Sequence, residues 1–287
     1  MKKILLATTF LVATTGFASA DVSFGGSAKM GVAKDAGFDA NGDGILDVGD
    51  VAETDFETYS SAELTVAMAG ETDNGLTFGA DFAVSVGRSY TLGSEDGFAD
   101  EGGFDPMPHV WIAGSYGKVT VADDDFDFHD DATGGGDVKY EHTFGVVGVE
   151  LIADVDASEF SGKLSYTTDK IAASANFDTL DQYGVSLAYT LGVFTATIAT
   201  NNEEDHSIRG DFANNGITAF AQYNALADGN QWQVGGSFAT NGLSLGFEYN
   251  EAEEYKVTAG YDLGGGLALE AAVNQTGDVM IGAAMTF

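Results

Sequence analysis

The chain ends on the nine residues Val279-Met280-Ile281-Gly282-Ala283-Ala284-Met285-Thr286-Phe287. Val279, Ile281, Ala283, Met285 and Phe287 recur with a period of two, and Gly282, Ala284 and Thr286 fall between them. Neighbouring side chains on a strand point to opposite faces. The segment therefore reads as a strand with one apolar face and one face of small and polar residues. The first face suits hydrocarbon; the second suits water or tight packing.

The same pattern runs back through the chain. Leu76, Phe78, Ala80, Phe82 and Val84 alternate with Thr77, Gly79, Asp81 and Ser85. Leu243, Leu245, Phe247 and Tyr249 alternate with Ser244, Gly246, Glu248 and Asn250. Tyr255, Val257, Ala259, Tyr261 and Leu263 alternate with Lys256, Thr258 and Asp262. A water-soluble sandwich also alternates, so the second face decides. Here charged and amide residues stand in mid-strand along the whole chain, as the wall of a wet lumen requires.

Turn signals separate the runs. Asp73-Asn74-Gly75, Asn214-Asn215-Gly216, Asn241-Gly242 and Gly264-Gly265-Gly266 are tight connections that need positive φ, and they fall at alternate junctions. The intervening junctions are longer and more acidic, at 35–55, 89–107 and 123–137. Short turns at one end and long loops at the other are the asymmetry of a transmembrane barrel. The chain divides into eighteen runs, beginning near residues 22, 56, 75, 108, 117, 137, 147, 161, 170, 181, 193, 206, 216, 229, 242, 254, 267 and 278. An even number returns both ends of the wall to one side. Neighbouring runs can merge, so sixteen strands also fit. The expected fold is all-β, a transmembrane antiparallel up-and-down barrel of 16 strands, with 16–18 possible, and with no linker and no second domain.

Lys2 and Lys3, the apolar stretch Ile4 to Val12, and Ala18-Ser19-Ala20 have the order of a secretory signal peptide cut after Ala20. That makes 1–20 a leader and 21–287 the barrel domain. The apolar stretch is too short for a membrane helix, which takes ~20 residues. No later run approaches that length, which excludes helical spans but not strands. The chain carries 11 Lys+Arg against 45 Asp+Glu, a formal net charge of −34; a leader with two lysines and no acid leaves −36 once removed. Such a charge repels nucleic-acid phosphates, so no nucleic-acid partner is expected, and it draws cations. There is no cysteine, hence no disulfide.

The sharpest local motif is Asp39-Ala40-Asn41-Gly42-Asp43-Gly44-Ile45-Leu46-Asp47-Val48-Gly49-Asp50. It follows the D-x-[DN]-x-[DN]-G start of a calcium loop. Side-chain oxygens of Asp39, Asn41, Asp43, Asp47 and Asp50 and the carbonyl of Ile45 fall where such a loop takes its ligands. Asp50 stands where a paired EF-hand has Glu, and no amphipathic helix precedes the motif. The reading is one structural calcium ion in the first external loop; the alternative is an acidic, solvated loop.

Several stretches together resemble the porins of the Rhodobacter type, a branch of the Gram-negative general-porin family. Val22-Ser23-Phe24-Gly25-Gly26-Ser27-Ala28-Lys29-Met30-Gly31-Val32 resembles the family's first strand. Ala69-Gly70-Glu71-Thr72-Asp73-Asn74-Gly75-Leu76-Thr77-Phe78-Gly79-Ala80 resembles its second and third strands with their turn. Ala113-Gly114-Ser115-Tyr116-Gly117-Lys118-Val119 resembles the hairpin before the constriction loop, and Tyr261-Asp262-Leu263-Gly264-Gly265-Gly266 with Phe287 resembles the closing hairpin. The resemblance implies a sixteen-stranded barrel in the Gram-negative outer membrane. It also implies a homotrimer in contact with membrane lipid and lipopolysaccharide, open to small hydrophilic solutes, with a third loop folded into the pore. The candidate third loop here, 123–137, is short for that family.

The resemblance assigns roles to three sets of residues. Asp123, Asp124, Asp125, Asp127, Asp130 and Asp131 become an acidic constriction that favours cations. Lys29, Lys139, Lys163, Arg209 and Lys256 fall on the expected inner face as a thin basic strip, or else each pairs with a lumen acid such as Glu63, Asp81, Glu141, Glu248, Asp262 or Glu270. The carboxylate of Phe287 pairs with the amino group of Asp21 to close the barrel. Tyr59, Phe78, Trp111, Tyr189, Trp232, Tyr249 and Tyr261 read as interfacial aromatic girdles or as ordinary strand residues. His109, His129, His142 and His206 stand in no hydrolase or zinc motif, and there is no P-loop or dinucleotide fingerprint, so no enzyme is expected. The competing readings are a secreted calcium-binding acidic β protein and an outer-membrane barrel with an adhesive or structural role. The first needs repeated glycine-aspartate nonapeptides, of which only Gly134-Gly135-Gly136-Asp137 comes near.

Overall fold

The computed structural model describes residues 21–34, 55–93, 97–104, 108–128, 135–179, 181–226 and 229–287. Among the described residues nineteen strands form one antiparallel sheet. They are β1 (Asp21–Lys34), β2 (Glu57–Glu71), β3 (Thr77–Tyr90), β4 (Phe98–Phe104), β5 (His109–Gly114), β6 (Gly117–Asp127), β7 (Gly135–Phe144), β8 (Val147–Asp154), β9 (Glu159–Thr167) and β10 (Ile171–Asp178). There follow β11 (Tyr183–Leu191), β12 (Phe194–Asn201), β13 (His206–Asn214), β14 (Ile217–Leu226), β15 (Gly229–Thr240), β16 (Leu243–Asn250), β17 (Tyr255–Gly264), β18 (Leu267–Asn274) and β19 (Val279–Thr286). Because β1 pairs with both β2 and β19, the sheet closes on itself.

Both β4 and β5 pair with β3, one along Val84–Tyr90 and the other along Thr77–Asp81. They are two halves of one wall position, so nineteen strands make an eighteen-stranded barrel. This corrects the sixteen strands that the resemblance implies: each alternating run has its own turn and its own place in the wall, and none merges. The break between β4 and β5 has a local cause. From the Val84–Phe104 pair to the Asp81–His109 pair, β3 advances three residues and the opposing chain five. Pro106 and Pro108, the only 2 prolines in the chain, fall there, and proline cannot donate to a ladder.

Beside that break, β6 is irregular too. Val121 faces Val138 and Phe126 faces Gly136, so five steps along β6 match two along β7. Residues 122–125 bulge from the wall. Beyond the bulge Phe126 and Phe128 pack on Ala122 and Ile152 in a small buried cluster. The segment expected to be a loop from 123 is thus strand as far as Asp127, because its phenylalanines find an apolar seat.

Short turns join β2–β3, β5–β6, β7–β8 and every second pair after that at one end. Asn215-Gly216 and Asn241-Gly242 have positive φ at both residues, 48° with 80° and 46° with 85°, as a two-residue hairpin turn demands. At the other end one turn recurs in Asp178–Gln182, Asn201–Asp205, Asn250–Glu254 and Asn274–Asp278. The first side chain accepts the N–H of the fifth residue, at 2.9 Å for Gln182 and 3.0 Å for Asp205, Glu254 and Asp278. The second side chain accepts a backbone N–H of the neighbouring hairpin: Thr179 from Phe160, Asn202 from Tyr183, Glu251 from Trp232 and Gln275 from Tyr255. These links tie each rim turn to its neighbour and satisfy groups that a strand end leaves open.

The β1–β19 closure is sealed from inside. Tyr59 and Tyr90 are buried with Ala33, and Leu92, Phe98 and Met280 pack on them. The Tyr59 ring lies across Gly31 of β1 and Gly282 of β19; a β-carbon on Gly31 would stand 2.6 Å from its hydroxyl. Tyr90 donates its hydroxyl hydrogen to the Lys34 carbonyl at 3.3 Å. Tyr59 is therefore no girdle residue: at 4% exposure it belongs to the interior.

Candidate pore

Strand alternation fixes which residues see the lumen. Phe24, Leu64, Ile112, Leu187, Ile198, Phe247 and Ile281 lie on one face and are all largely exposed, which is the outward, lipid-facing band. The other face carries Lys29, Glu63 and Asp81 on β1 to β3, Glu141 and Glu150 on β7 and β8, and Glu248, Lys256 and Glu270 on β16 to β18. Acids and amides in mid-strand are affordable there because water reaches them. Phe78, Tyr189, Trp232, Tyr249 and Tyr261 face outward as girdle residues do. Trp111 does not: it faces Gly79 across the ladder on the lumen side, with Lys118 Nζ 5.3 Å from its ring.

The basic residues are distributed around the wall. Lys29 lies opposite Ser61 on β2, Lys163 opposite Glu150 on β8, and Lys256 opposite Glu248 on β16. Lys139 is 3.8 Å from Glu141 and 5.1 Å from the Phe126 ring. Arg209 is clamped most fully. Its Nε donates to both Asp211 oxygens at 2.9 and 3.1 Å, its Nη1 to Gln222 at 3.0 Å, and its guanidinium lies 4.1 Å from the Phe220 ring centre. Arg88, at an outer strand end, pairs with Glu57 at 2.5 Å. All five expected cations sit on the lumen wall, spread around it and not gathered on one side, and Lys139 and Arg209 are paired there with Glu141 and Asp211. Lys118 is a sixth, readable from its alternation with Val119 and Val121.

Of the acidic set, Asp123, Asp125 and Asp127 lie on the far end of β6 and are exposed. Asp124 shares that strand, while Asp130 and Asp131 lie outside the described residues. Asp125 touches His109, which also approaches Asp81 at 3.5 Å. Sequence reading missed His109, because its partners come from another strand and from a bulge. A second inward feature comes from a different junction. The turn at Leu92 and Gly93, after β3, reaches across β1 and β19 to the wall of β15–β18: Gly93 lies against Asn274. One cavity of about 420 Å³ beneath it is lined by Lys29, Tyr59, Lys256 and Glu270.

Asp21 and Phe287 are not brought together. The Phe287 N–H bonds to the Gly26 carbonyl at 2.9 Å, and Asp21 pairs with Ala69 five residues farther along β1, which is about 17 Å of extended strand. Closure rests on the ladder from Ser27–Thr286 to Lys34–Val279. The candidate calcium loop, Asp39 to Asp50, and the leader lie outside the described residues. Among the described residues no group of three His, Cys, Asp or Glu is placed to hold a metal ion.

The family model for Gram-negative porins matches residues 7–279. No curated protein matches the sequence. Among solved structures, engineered variants of the Rhodopseudomonas blastica porin are similar in fold. One is 12% identical, with 93% of this chain and all of the other covered at a TM-score of 0.54. Another, 14% identical over the same shares, has a TM-score of 0.55.

Proposed function

Since the chain belongs to the Gram-negative porin family, it is an outer-membrane channel protein and not an enzyme, and we propose that it passes small hydrophilic solutes and ions by passive diffusion, with cations favoured. The observation that carries the preference is the charge of the wall. Carboxylates line the lumen on both sides, from Glu63 and Asp81 to Glu248 and Glu270, while Lys139 and Arg209 are tied to Glu141 and Asp211. Low-dielectric walls focus such a field and raise the local cation concentration. The exposed carboxylates of Asp123, Asp125 and Asp127 extend it at the outer half of β6.

The same reading makes the working unit a homotrimer, with the remaining outward band against lipid and lipopolysaccharide. It also gives the Asp39–Asp50 loop one structural calcium ion, supported by its ligand spacing.

The test is single-channel current in a planar bilayer across a salt gradient, using protein extracted without heating. Large steps arriving in threes, with a reversal potential on the cation side, are the expected result. A reversal potential on the anion side overturns the preference. Folded protein that gives no steps overturns the open channel.

A further inference from the structure

His109 stands on the lumen face of β5, opposite Asp81 of β3. Its two ring nitrogens meet two different carboxylates: Nδ1 is 3.5 Å from Asp81 Oδ2, and Nε2 contacts Asp125 Oδ2. A neutral imidazole has one donor nitrogen and one acceptor nitrogen, and a carboxylate only accepts. Only the imidazolium donates to both partners. The ring also packs on Phe126, with centroids 5.6 Å apart. Asp125 belongs to the stretch of β6 that has lost register with β7, so no ladder to β7 fixes its place.

We propose that protonated His109 is the residue that positions the acidic bulge 122–125 in the lumen, and that its loss of a proton raises the cation preference of the pore. The proposal rests on the channel reading above. The charged groups that meet the ring are Asp81 from β3 and Asp125 from β6, and Lys139 from β7 stands over the Phe126 ring that packs on it. Imidazoles exchange protons between about pH 5 and 8, above the range of ordinary carboxylates. When the ring gives up its proton the imidazolium charge disappears and one of its two carboxylates loses its donor. The lumen gains one negative charge and the bulge loses its tether. His142 and His206 face outward, His142 opposite Val149 and His206 bonded to Thr200 at 2.7 Å. Both side chains therefore point away from the lumen.

The experiment measures reversal potential in a potassium chloride gradient between pH 5 and 8. It uses the full chain with His129→Gln in the background, because His129 lies outside the described residues. The expected result is a cation-to-anion permeability ratio that rises about two- to fourfold with pH, the effect of one charge some 10 Å from the ion in water. His109→Gln flattens the profile. His109→Lys also flattens it and holds the low-pH value, because its charge is permanent over this range. Heat-modifiable gel mobility checks that each variant is a folded barrel. A step that survives His109→Gln, or a parent with no step, overturns the proposal while leaving a cation-favouring pore intact. An anion-favouring parent that still steps with His109 overturns the channel preference and leaves the proposal standing. Should folded protein give no current, ¹⁵N shifts of labelled histidine decide instead. A His109 resonance that moves in Asp81→Asn and in Asp125→Asn supports the clamp, and one indifferent to both overturns it.

Discussion

The hydroxyl of Tyr59 lies 2.6 Å from the place a β-carbon on Gly31 would take, and closer still to that of Gly282. A ring from β2 thus lies flat over the two strands that close the barrel. Both glycines are needed for their absence of bulk. Gly282→Ala is expected to force the ring off its floor at a cost of about 1–3 kcal/mol, read as a lower midpoint in urea unfolding in micelles. Tyr59→Ala in the same chain restores room, so the double variant loses less than the sum of the two. Strict additivity would show that the ring does not rest there.

The rim turns offer a test of opposite signs. Asn250→Ala removes the acceptor of the Glu254 N–H and the donor to the Glu254 carboxylate, at 3.0 and 2.6 Å. A loss of about 1–2 kcal/mol is expected in the same unfolding assay. Glu253 holds a φ of 61°, so Glu253→Gly relieves a left-handed residue, and a gain of up to about 1 kcal/mol is expected. A loss in the second variant would show that the acid matters more than the backbone.

Glu251 makes the link between hairpins, accepting the Trp232 N–H at 2.9 Å. Glu251→Ala is expected to speed hydrogen exchange at that amide at least tenfold, the effect of about 1.4 kcal/mol in local opening. Exchange at Tyr183, which leans on Asn202 instead, should stay unchanged.

Arg209 is expected to temper the cation preference. In Arg209→Ala the Asp211 carboxylate loses its bidentate partner and Phe220 its cation. The reversal potential should move farther to the cation side. Arg209→Lys restores the charge but not the fork to Asp211 and Gln222, so recovery should be partial. Full recovery would mean that charge alone matters at this site.

Calcium at the 39–50 loop is expected to bind with a stoichiometry of one, read by isothermal titration. Asp39→Ala and Asp43→Ala each remove a ligand from the loop and should abolish the heat. Heat that persists in both would place any calcium elsewhere.

Much of the wall was legible because its signals are local. Period two and the Asn-Gly and Gly-Gly-Gly turns act within a few residues. They mark all eighteen wall positions, and they assign Lys29, Lys139, Lys163, Arg209 and Lys256 to the lumen. The runs left sixteen to eighteen strands open and the resemblance favoured sixteen; the wall has eighteen positions. Pro108, just before β5, could also have announced the β4–β5 break, since a proline has no ladder bond to give.

What the sequence by itself determined is therefore the alternation: where the strands turn and which side chains face water, with the strand number left between sixteen and eighteen. The tertiary structure decided what meets inside. Tyr59 turns inward, although it has the look of a girdle residue, because its floor is made by glycines from β1 and β19 at opposite ends of the chain. His109 finds Asp81 across one ladder and Asp125 across a bulge. The turn at Leu92 and Gly93 reaches past β1 and β19 to Asn274. Periodicity fixes the face a residue occupies, but closure of the sheet brings distant faces together, and no short stretch of sequence records that distance.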